Sequence, residues 1–199
     1  MNFKTRISRE DLRDFPVKRF SGKIHLITDE KEVVEAVNYL SQFRFIGFDT
    51  ESKPTFVKGK TNIHGIALLQ LSSLDEAFLF RLNMFEMPES LKLLLENKNI
   101  LKIGSAIHGD IQKLSELYKK GEFRPDGFVD IQVIGRKHKI ETVGLTKLTA
   151  NLLGFRISKR QQLSNWEAEN LSDAQKNYAA TDAWACYKLY EEFIKREML

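Results

Sequence analysis

The sequence predicts an α/β fold, with a mixed sheet flanked by helices. Three apolar segments with strand character follow one another closely in the first half of the chain, which predicts a meander. Strand and helix patterns alternate in the second half, which is typical of helices packed on sheet faces. The 199 residues contain no repeat or Gly/Ser linker. We therefore expect an N-terminal arm over residues 1–22 and a single domain over residues 23–199.

Each element has a local signal. Thr28 or Asp29 is placed to cap a helix that ends near Ser41, and Asp130 to cap another. Pro88 suits the first residue of a helix. The predicted strands are Lys23–Ile27, Arg44–Glu51, Gly65–Leu71, Ala77–Phe80, Ile100–Ile103 and Phe128–Val129. Four later helices are predicted. One begins at Pro88, one covers Ala106–Lys120, one covers Leu145–Leu153 and ends before Gly154, and the last runs from the Ser172–Gln175 capping box to about Glu197.

Composition narrows the class of protein. The 31 Lys and Arg residues exceed the 27 Asp and Glu residues, and this excess permits a polyanionic partner without requiring one. Cys186 is the single cysteine, so no disulfide can form within the chain, and we expect a small core residue there. No apolar run approaches the ~18 residues of a membrane span, and the charged N-terminus lacks a secretory signal pattern. We expect a cytoplasmic protein with no membrane partner.

Two pairs of residues point to chemistry. Asp49 and Glu51 end an apolar strand, and because side chains alternate, both carboxylates face the same side of the sheet. A divalent cation would offset their repulsion; the alternative is two solvated acids at a strand end. Tyr178 and Asp182 are four residues apart on one face of an alanine-rich helix. The alternative for Asp182 is a buried hydrogen bond to a distant Ser or Arg.

Asp110 has weaker support. It lies in the first turn of a helix, next to the apolar stripe, and Gly109 before it allows a close approach. An acid there also interacts favourably with the helix dipole, which is a sufficient structural reason for it. Taken together, four carboxylates and a tyrosine suit Mg²⁺ or Mn²⁺, which prefer oxygen ligands. In a two-ion site, Asp49 would bridge both ions and Tyr178 would orient the attacking water.

These residues form three motifs that resemble the DEDD exonuclease superfamily in its DEDDy branch. The motifs are Phe48–Glu51, Ile103–Asp110 and Tyr178–Asp182, in family order. Within the branch, the chain is similar to the exonuclease domains of Werner syndrome helicases and, more distantly, to ribonuclease D enzymes. The resemblance covers about residues 23–195. Four stretches resemble the former group: Ile66–Leu71, Leu93–Lys98, Ser164–Trp166 and Tyr178–Ala183.

The resemblance implies a ribonuclease-H-like fold with a mixed five-stranded sheet and one antiparallel strand. It also implies two divalent ions, held by Asp49, Glu51, Asp110 and Asp182, and release of 5′-mononucleotides from a 3′ end. We expect DNA as substrate. The alternatives are a ribonuclease D-like exoribonuclease and a non-catalytic nucleic-acid-binding module, which would have lost metal ligands. Expected partners are nucleic acid with a free 3′ end and a separate helicase or repair subunit.

Several residues around the acids are candidate nucleic-acid contacts. The loop after the catalytic strand carries Lys53, Lys58 and Lys60, which would follow a phosphate backbone or simply be solvated. Trp166 would stack a terminal base or pack the core. The predicted contacts are Thr50, Lys53, His64, His108, Lys159, Arg160 and Trp166. A lone His is more often structural than functional, so His64 and His108 are not predicted to be catalytic.

Overall fold

The computed structural model describes residues 3–55 and 64–199, and one sheet dominates them. Its strand order is β1-β4-β3-β2-β5-β6, and β3 alone runs antiparallel to both of its neighbours. The strands are β1 Lys23–Ile27, β2 Phe45–Glu51, β3 Leu68–Ser72, β4 Glu76–Phe80, β5 Leu101–Gly104 and β6 Phe128–Asp130. The predicted meander and mixed sheet are confirmed. The sheet has six strands rather than five, because β1 and the short β6 both pair at its edges.

Helices cover both faces of the sheet. They are α1 Glu30–Leu40, α2 Glu89–Glu96, α3 His108–Ser115, α4 Ile131–Lys137, α5 Leu145–Leu148 and α6 Asp173–Lys195. Asp29 caps α1 and the Ser172 capping box begins α6, as predicted, and Asp29 also forms a capping box with Glu32. A wider helical turn, Thr149–Leu153, extends α5 and ends at Gly154, whose φ of 72° only glycine adopts readily. Two predictions need correction: α3 is shorter than Ala106–Lys120, and Pro88 is the N-cap of α2 rather than its first residue.

The alternation of side chains along β2 decides which acids meet. Ile46 and Phe48 are fully buried in the core beneath α1, α2 and α3. Gly47 faces the opposite side, toward α6. Asp49 and Glu51 share the parity of Gly47, so their side chains also lie on the α6 face.

The approach of α6 to β2 is unusually close. A Cβ atom added to Gly47 would lie only 1.9 Å from the backbone oxygen of Ala183. On α6, Ala179, Ala180 and Ala183 are fully buried against the sheet, as their small side chains allow. This contact brings one face of α6 directly over the end of β2.

The N-terminal arm packs on the domain. Ile7 and Phe20 are buried, and Val17 forms a parallel bridge with Arg156. Cys186 is a buried free cysteine in the core, as predicted. Across the described residues, the helices are all too short or too polar to traverse a lipid bilayer.

Candidate active site

Three carboxylates converge where β2 ends beneath α6. Asp49, Glu51 and Asp182 each offer an oxygen atom, and these atoms lie within 4.8 Å of one another. The first two come from alternate positions of β2 and the third from the close-packed face of α6. The predicted pairing of a strand motif with a helix motif is therefore realised in space.

The electrostatics of this cluster are unfavourable for three bare anions. Burial, followed by the charges of Asp182 and Glu51, raises the pKa of Asp49 well above its usual range. Burial and the charge of Asp182 raise the pKa of Glu51 to about 9. Burial raises the pKa of Asp182 to about 7. A group of carboxylates this close favours either bound protons or a cation.

The surroundings of Asp182 favour a cation. The side chain is 7% exposed, and its Oδ1 atom has no hydrogen-bond partner among the described residues. Its hydrogen-bonded neighbour is Tyr178, one turn earlier on α6, so the alternative of a distant Ser or Arg partner is not observed within residues 3–55 and 64–199. Buried carboxylate oxygens without donors fit a hard divalent cation, which binds oxygen ligands. These three acids therefore fit a divalent metal.

Tyr178 is held as a neutral phenol. Burial and the charges of Asp182 and Glu51 raise its pKa above the ordinary value. Its single O–H proton is donated to Asp182, and its oxygen can still accept a hydrogen bond. That property suits a residue that orients a water molecule.

Asp110 lies apart from the other three acids. It is in the first turn of α3 and accepts a hydrogen bond from the Thr50 hydroxyl, on the strand between Asp49 and Glu51. Burial raises its pKa, while Thr50 and Lys113 lower it. The structure thus brings Asp110 to the site through Thr50, and the three-acid group does not include it.

Sequence reasoning missed Lys113. Its Nζ atom donates to Ser52 Oγ at 2.9 Å, and its charge lowers the pKa of both Glu51 and Asp110. It lies three residues after Asp110 on the same helix, a spacing that places both side chains on one face. This three-residue spacing could have identified Lys113 from the sequence.

Asp130 has a second role besides its predicted cap. Its Oδ1 atom accepts from Gln132 N at 2.8 Å, which confirms the cap, and from Ala106 N at 3.1 Å. Ala106 has a left-handed φ of 62°, which is uncommon for a residue with a Cβ atom. Asp130 therefore fixes the turn between β5 and α3, which leads to Asp110.

The candidate nucleic-acid contacts separate into several groups. Lys159 is exposed and lines the cavity of about 280 Å³ that holds Asp49, Glu51, Tyr178 and Asp182. Thr50 lines it too. His108 and Arg160 are exposed outside that cavity.

Lys53 and His64 both contact Glu167, at 3.3 Å and 2.9 Å. The sequence analysis did not identify Glu167. Its carboxylate pairs with two residues that were predicted to contact phosphate. Lys58 and Lys60 lie outside the described residues.

The predicted contact between Trp166 and nucleic acid is wrong. Its side chain is 0% exposed, and its ring lies 5.9 Å from the Tyr178 ring, centroid to centroid. A fully buried ring offers no face to a terminal base, so Trp166 packs the core beneath Tyr178 instead of contacting nucleic acid.

Comparisons with known proteins agree with this geometry. A model of the 3′–5′ exonuclease family matches residues 24–197. A 3′–5′ exonuclease of Arabidopsis thaliana is 33% identical over 202 residues, 93% of this chain and 68% of that protein. The mouse bifunctional 3′–5′ exonuclease/ATP-dependent helicase WRN is 36% identical over 159 residues, 77% of this chain but only 11% of that protein.

Two further comparisons extend the family. A ribonuclease D of Gluconacetobacter diazotrophicus is 30% identical over 173 residues, 86% of this chain and 42% of that protein. The exonuclease domain of Nibbler from Aedes aegypti superposes with a TM-score of 0.78 at 21% identity, over 90% of this chain and 91% of that one. This last likeness confirms the ribonuclease-H-like fold. The chain belongs to the 3′–5′ exonuclease family, within the DEDD superfamily of divalent-metal-dependent hydrolytic nucleases.

Proposed function

We propose that this chain releases 5′-mononucleotides one at a time from the 3′ end of a nucleic acid. The observation that carries the proposal is the convergence of Asp49, Glu51 and Asp182 within 4.8 Å around a buried carboxylate oxygen that has no hydrogen-bond partner in the described part of the chain. These acids would hold a divalent cation, Mg²⁺ or Mn²⁺, and Asp110 would help to hold a second. Bound there, the cations would activate water and stabilise the leaving 3′ oxygen.

The chain's own side chains have separate tasks in this reaction. The Tyr178 hydroxyl, neutral and one helical turn from Asp182, would orient the attacking water by hydrogen bonding. Thr50 positions Asp110 through its hydroxyl. Lys113 partly neutralises the acids from the α3 side, since it lowers the pKa of Glu51 and Asp110.

We propose DNA as the preferred substrate, with RNA as the second candidate. The likeness to ribonuclease D favours the second candidate. The acids and Tyr178 would act on phosphate and water, whereas discrimination between DNA and RNA depends on contacts to the sugar 2′-hydroxyl. A non-catalytic binding module has no support, because all five proposed catalytic residues are present.

The test is digestion of matched 3′-ended DNA and RNA oligonucleotides labelled at the 5′ end. With Mg²⁺ or Mn²⁺ we expect a ladder that shortens from the 3′ end, abolished by EDTA and by Asp49→Ala. Tyr178→Phe should slow turnover about a hundredfold while leaving Mn²⁺ binding, measured by calorimetry, unchanged. If pure wild-type protein cleaves neither oligonucleotide, the proposed function is wrong.

A further inference from the structure

A basic cavity adjoins the acidic one. It has a volume of about 550 Å³, and among the described residues it is lined by five cationic side chains and by no acid; the cations are Arg9, Arg13, Lys147, Arg156 and Lys159. Gly144, Thr146, Ile157 and Lys159 line both cavities, so the two are contiguous. A strand whose 3′ end lay at the acids could continue directly into this basic cavity.

Among the described residues, no salt bridge neutralises the charge of these five cations. Arg156 is anchored by its Nε atom, which donates to the backbone oxygen of Phe15 at 3.2 Å. Arg9, Arg13 and Lys159 are exposed. Clustered cations without carboxylate partners attract phosphate groups.

The N-terminal arm is firmly attached on both sides of Arg9 and Arg13. Before them, Ile7 is 1% exposed, and its backbone N–H donates to Thr142 Oγ1 at 2.9 Å. After them, the backbone N–H of Phe20 donates to Thr181 Oγ1 at 3.0 Å. The arm therefore presents its two arginines from a docked segment rather than from a loose tail.

The turn that carries the arginines is itself ordered by hydrogen bonds. Ser8 N donates to Asp11 Oδ2 at 2.7 Å, and Asp11 N donates to Ser8 Oγ at 3.0 Å. Asp11 is also paired with Lys4 at 3.3 Å, so a lysine outside the basic cavity partly neutralises its charge. The turn thus adds two cations to the basic cavity.

We propose that the N-terminal arm is part of the substrate-binding surface. In this arrangement Arg9 and Arg13, together with Lys147 and Arg156, bind backbone phosphates of the single strand upstream of the scissile bond. The inference rests on the proposed exonuclease function. The match to the family model begins at residue 24, so the two arm arginines lie outside the matched region.

A second basic cavity is a weaker path for the strand. It has a volume of about 380 Å³, and its cations are Lys18, Arg19 and Arg160. Of the residues that the structure describes, Tyr178 alone lines both this cavity and the acidic one. In addition, the Lys18 ammonium lies 5.2 Å from the centroid of the Phe155 ring, so it already has a partner. This cavity provides a matched comparison, because it too takes two cations from the arm.

The experiment compares two double variants of the full chain, Arg9→Ala/Arg13→Ala and Lys18→Ala/Arg19→Ala. Each removes two positive charges from the same arm. Binding of a fluorescein-labelled single-stranded 12-mer is measured by anisotropy in EDTA, which prevents hydrolysis, between 50 and 200 mM NaCl. Turnover of the p-nitrophenyl ester of thymidine 5′-monophosphate, too short to reach the basic cavity, is measured with Mn²⁺.

We expect Arg9→Ala/Arg13→Ala to weaken 12-mer binding about tenfold at 50 mM NaCl and to reduce the salt slope by about 1.4, since each single-strand phosphate contact contributes about 0.7. Ester turnover should stay at the wild-type rate. Arg9→Lys/Arg13→Lys should retain most of the binding. Lys18→Ala/Arg19→Ala should weaken binding less than about threefold.

Equal weakening by both double variants would overturn the proposal, because it would indicate a general effect of net charge. Weakening confined to Lys18→Ala/Arg19→Ala would also overturn it and assign the strand to the second cavity. If wild-type protein hydrolyses neither the ester nor the 12-mer, the proposed function fails, and the binding measurement still decides whether the arm contacts nucleic acid.

Discussion

The two sides of the candidate active site are built differently. On the α6 side, Asp182 is placed by backbone packing, since Gly47 and Ala183 are in direct contact and the alanines around them are fully buried. On the α3 side, Asp110 is placed by side-chain hydrogen bonding from Thr50, on a helix whose first residues are exposed. Close packing leaves few alternative positions, whereas a single hydroxyl contact is a local restraint.

This difference indicates which changes each side tolerates. A substitution that moves α6 must also move Asp182 away from Asp49, because the helix and strand have no space between them. A substitution near α3 can loosen Asp110 while the three-acid group persists. The α6 side therefore determines whether the site exists, and the α3 side adjusts how well it works.

The largest effect is expected from Asp182→Asn. The amide keeps the shape of the side chain but removes one of the three converging charges, so kcat/KM should fall at least about a hundredfold. Steady-state digestion of a labelled oligonucleotide measures this. Asp173→Asn, at the exposed start of the same helix, is the control and should retain activity. An active Asp182→Asn enzyme would mean that the α6 side is not required.

Gly47→Ala tests the packing itself. Its new Cβ would lie 1.9 Å from the Ala183 oxygen, so α6 must shift. We expect the free energy of unfolding to fall by about 1–3 kcal/mol, measured by urea titration, and activity to fall with it as Asp182 moves. Gly65→Ala, where an added Cβ meets nothing within 4 Å, should change neither. Wild-type stability and activity in Gly47→Ala would contradict the role of this contact.

Thr50→Val removes the hydroxyl that donates to Asp110 and keeps the size and β-branching of the side chain. We expect activity to fall about tenfold, in the range seen when groups that orient metal ligands are lost, with little change in thermal stability. Thr50→Ser keeps the hydroxyl and should recover most of the rate. A loss as large as that of Asp182→Asn would show that the two sides are equally essential.

The smallest effect is a pH-dependent thermal shift. Burial and the neighbouring carboxylate of Asp182 raise the pKa of Glu51 to about 9, and burial raises that of Asp182 to about 7. These acids are protonated more readily in the folded state than in the unfolded state. Their contribution to the stability of the cation-free protein is therefore fully present below about pH 4 and is lost as the pH rises toward 9.

A divalent cation binds the deprotonated acids, so Mn²⁺ should stabilise the protein more at pH 8 than at pH 5.5. We expect a rise in Tm of about 5 °C at pH 8 and less than half of that at pH 5.5. Differential scanning fluorimetry measures both values. The difference should largely disappear in Asp182→Asn, and a larger rise at pH 5.5 would contradict the proposed ligands.

Local sequence patterns were sufficient for much of the fold and for part of the site. Side-chain alternation placed Asp49 and Glu51 on one face, and the four-residue spacing placed Tyr178 beside Asp182. Both are short-range rules of backbone geometry. These local patterns gave only weak support to Asp110 as a site residue. The structure shows the reason, because Asp110 reaches the site through a contact with Thr50, which is 60 residues away in the chain.

The sequence by itself determined the elements, their caps and the acids at the end of β2, because these depend on neighbours a few residues apart. Only the tertiary structure decided that Trp166 is buried, that Glu167 engages Lys53 and His64, and that the arm brings Arg9 and Arg13 to the cavity next to the acidic one. Each of these depends on which distant segments pack together. That choice reflects the burial of the whole core, which no local pattern encodes.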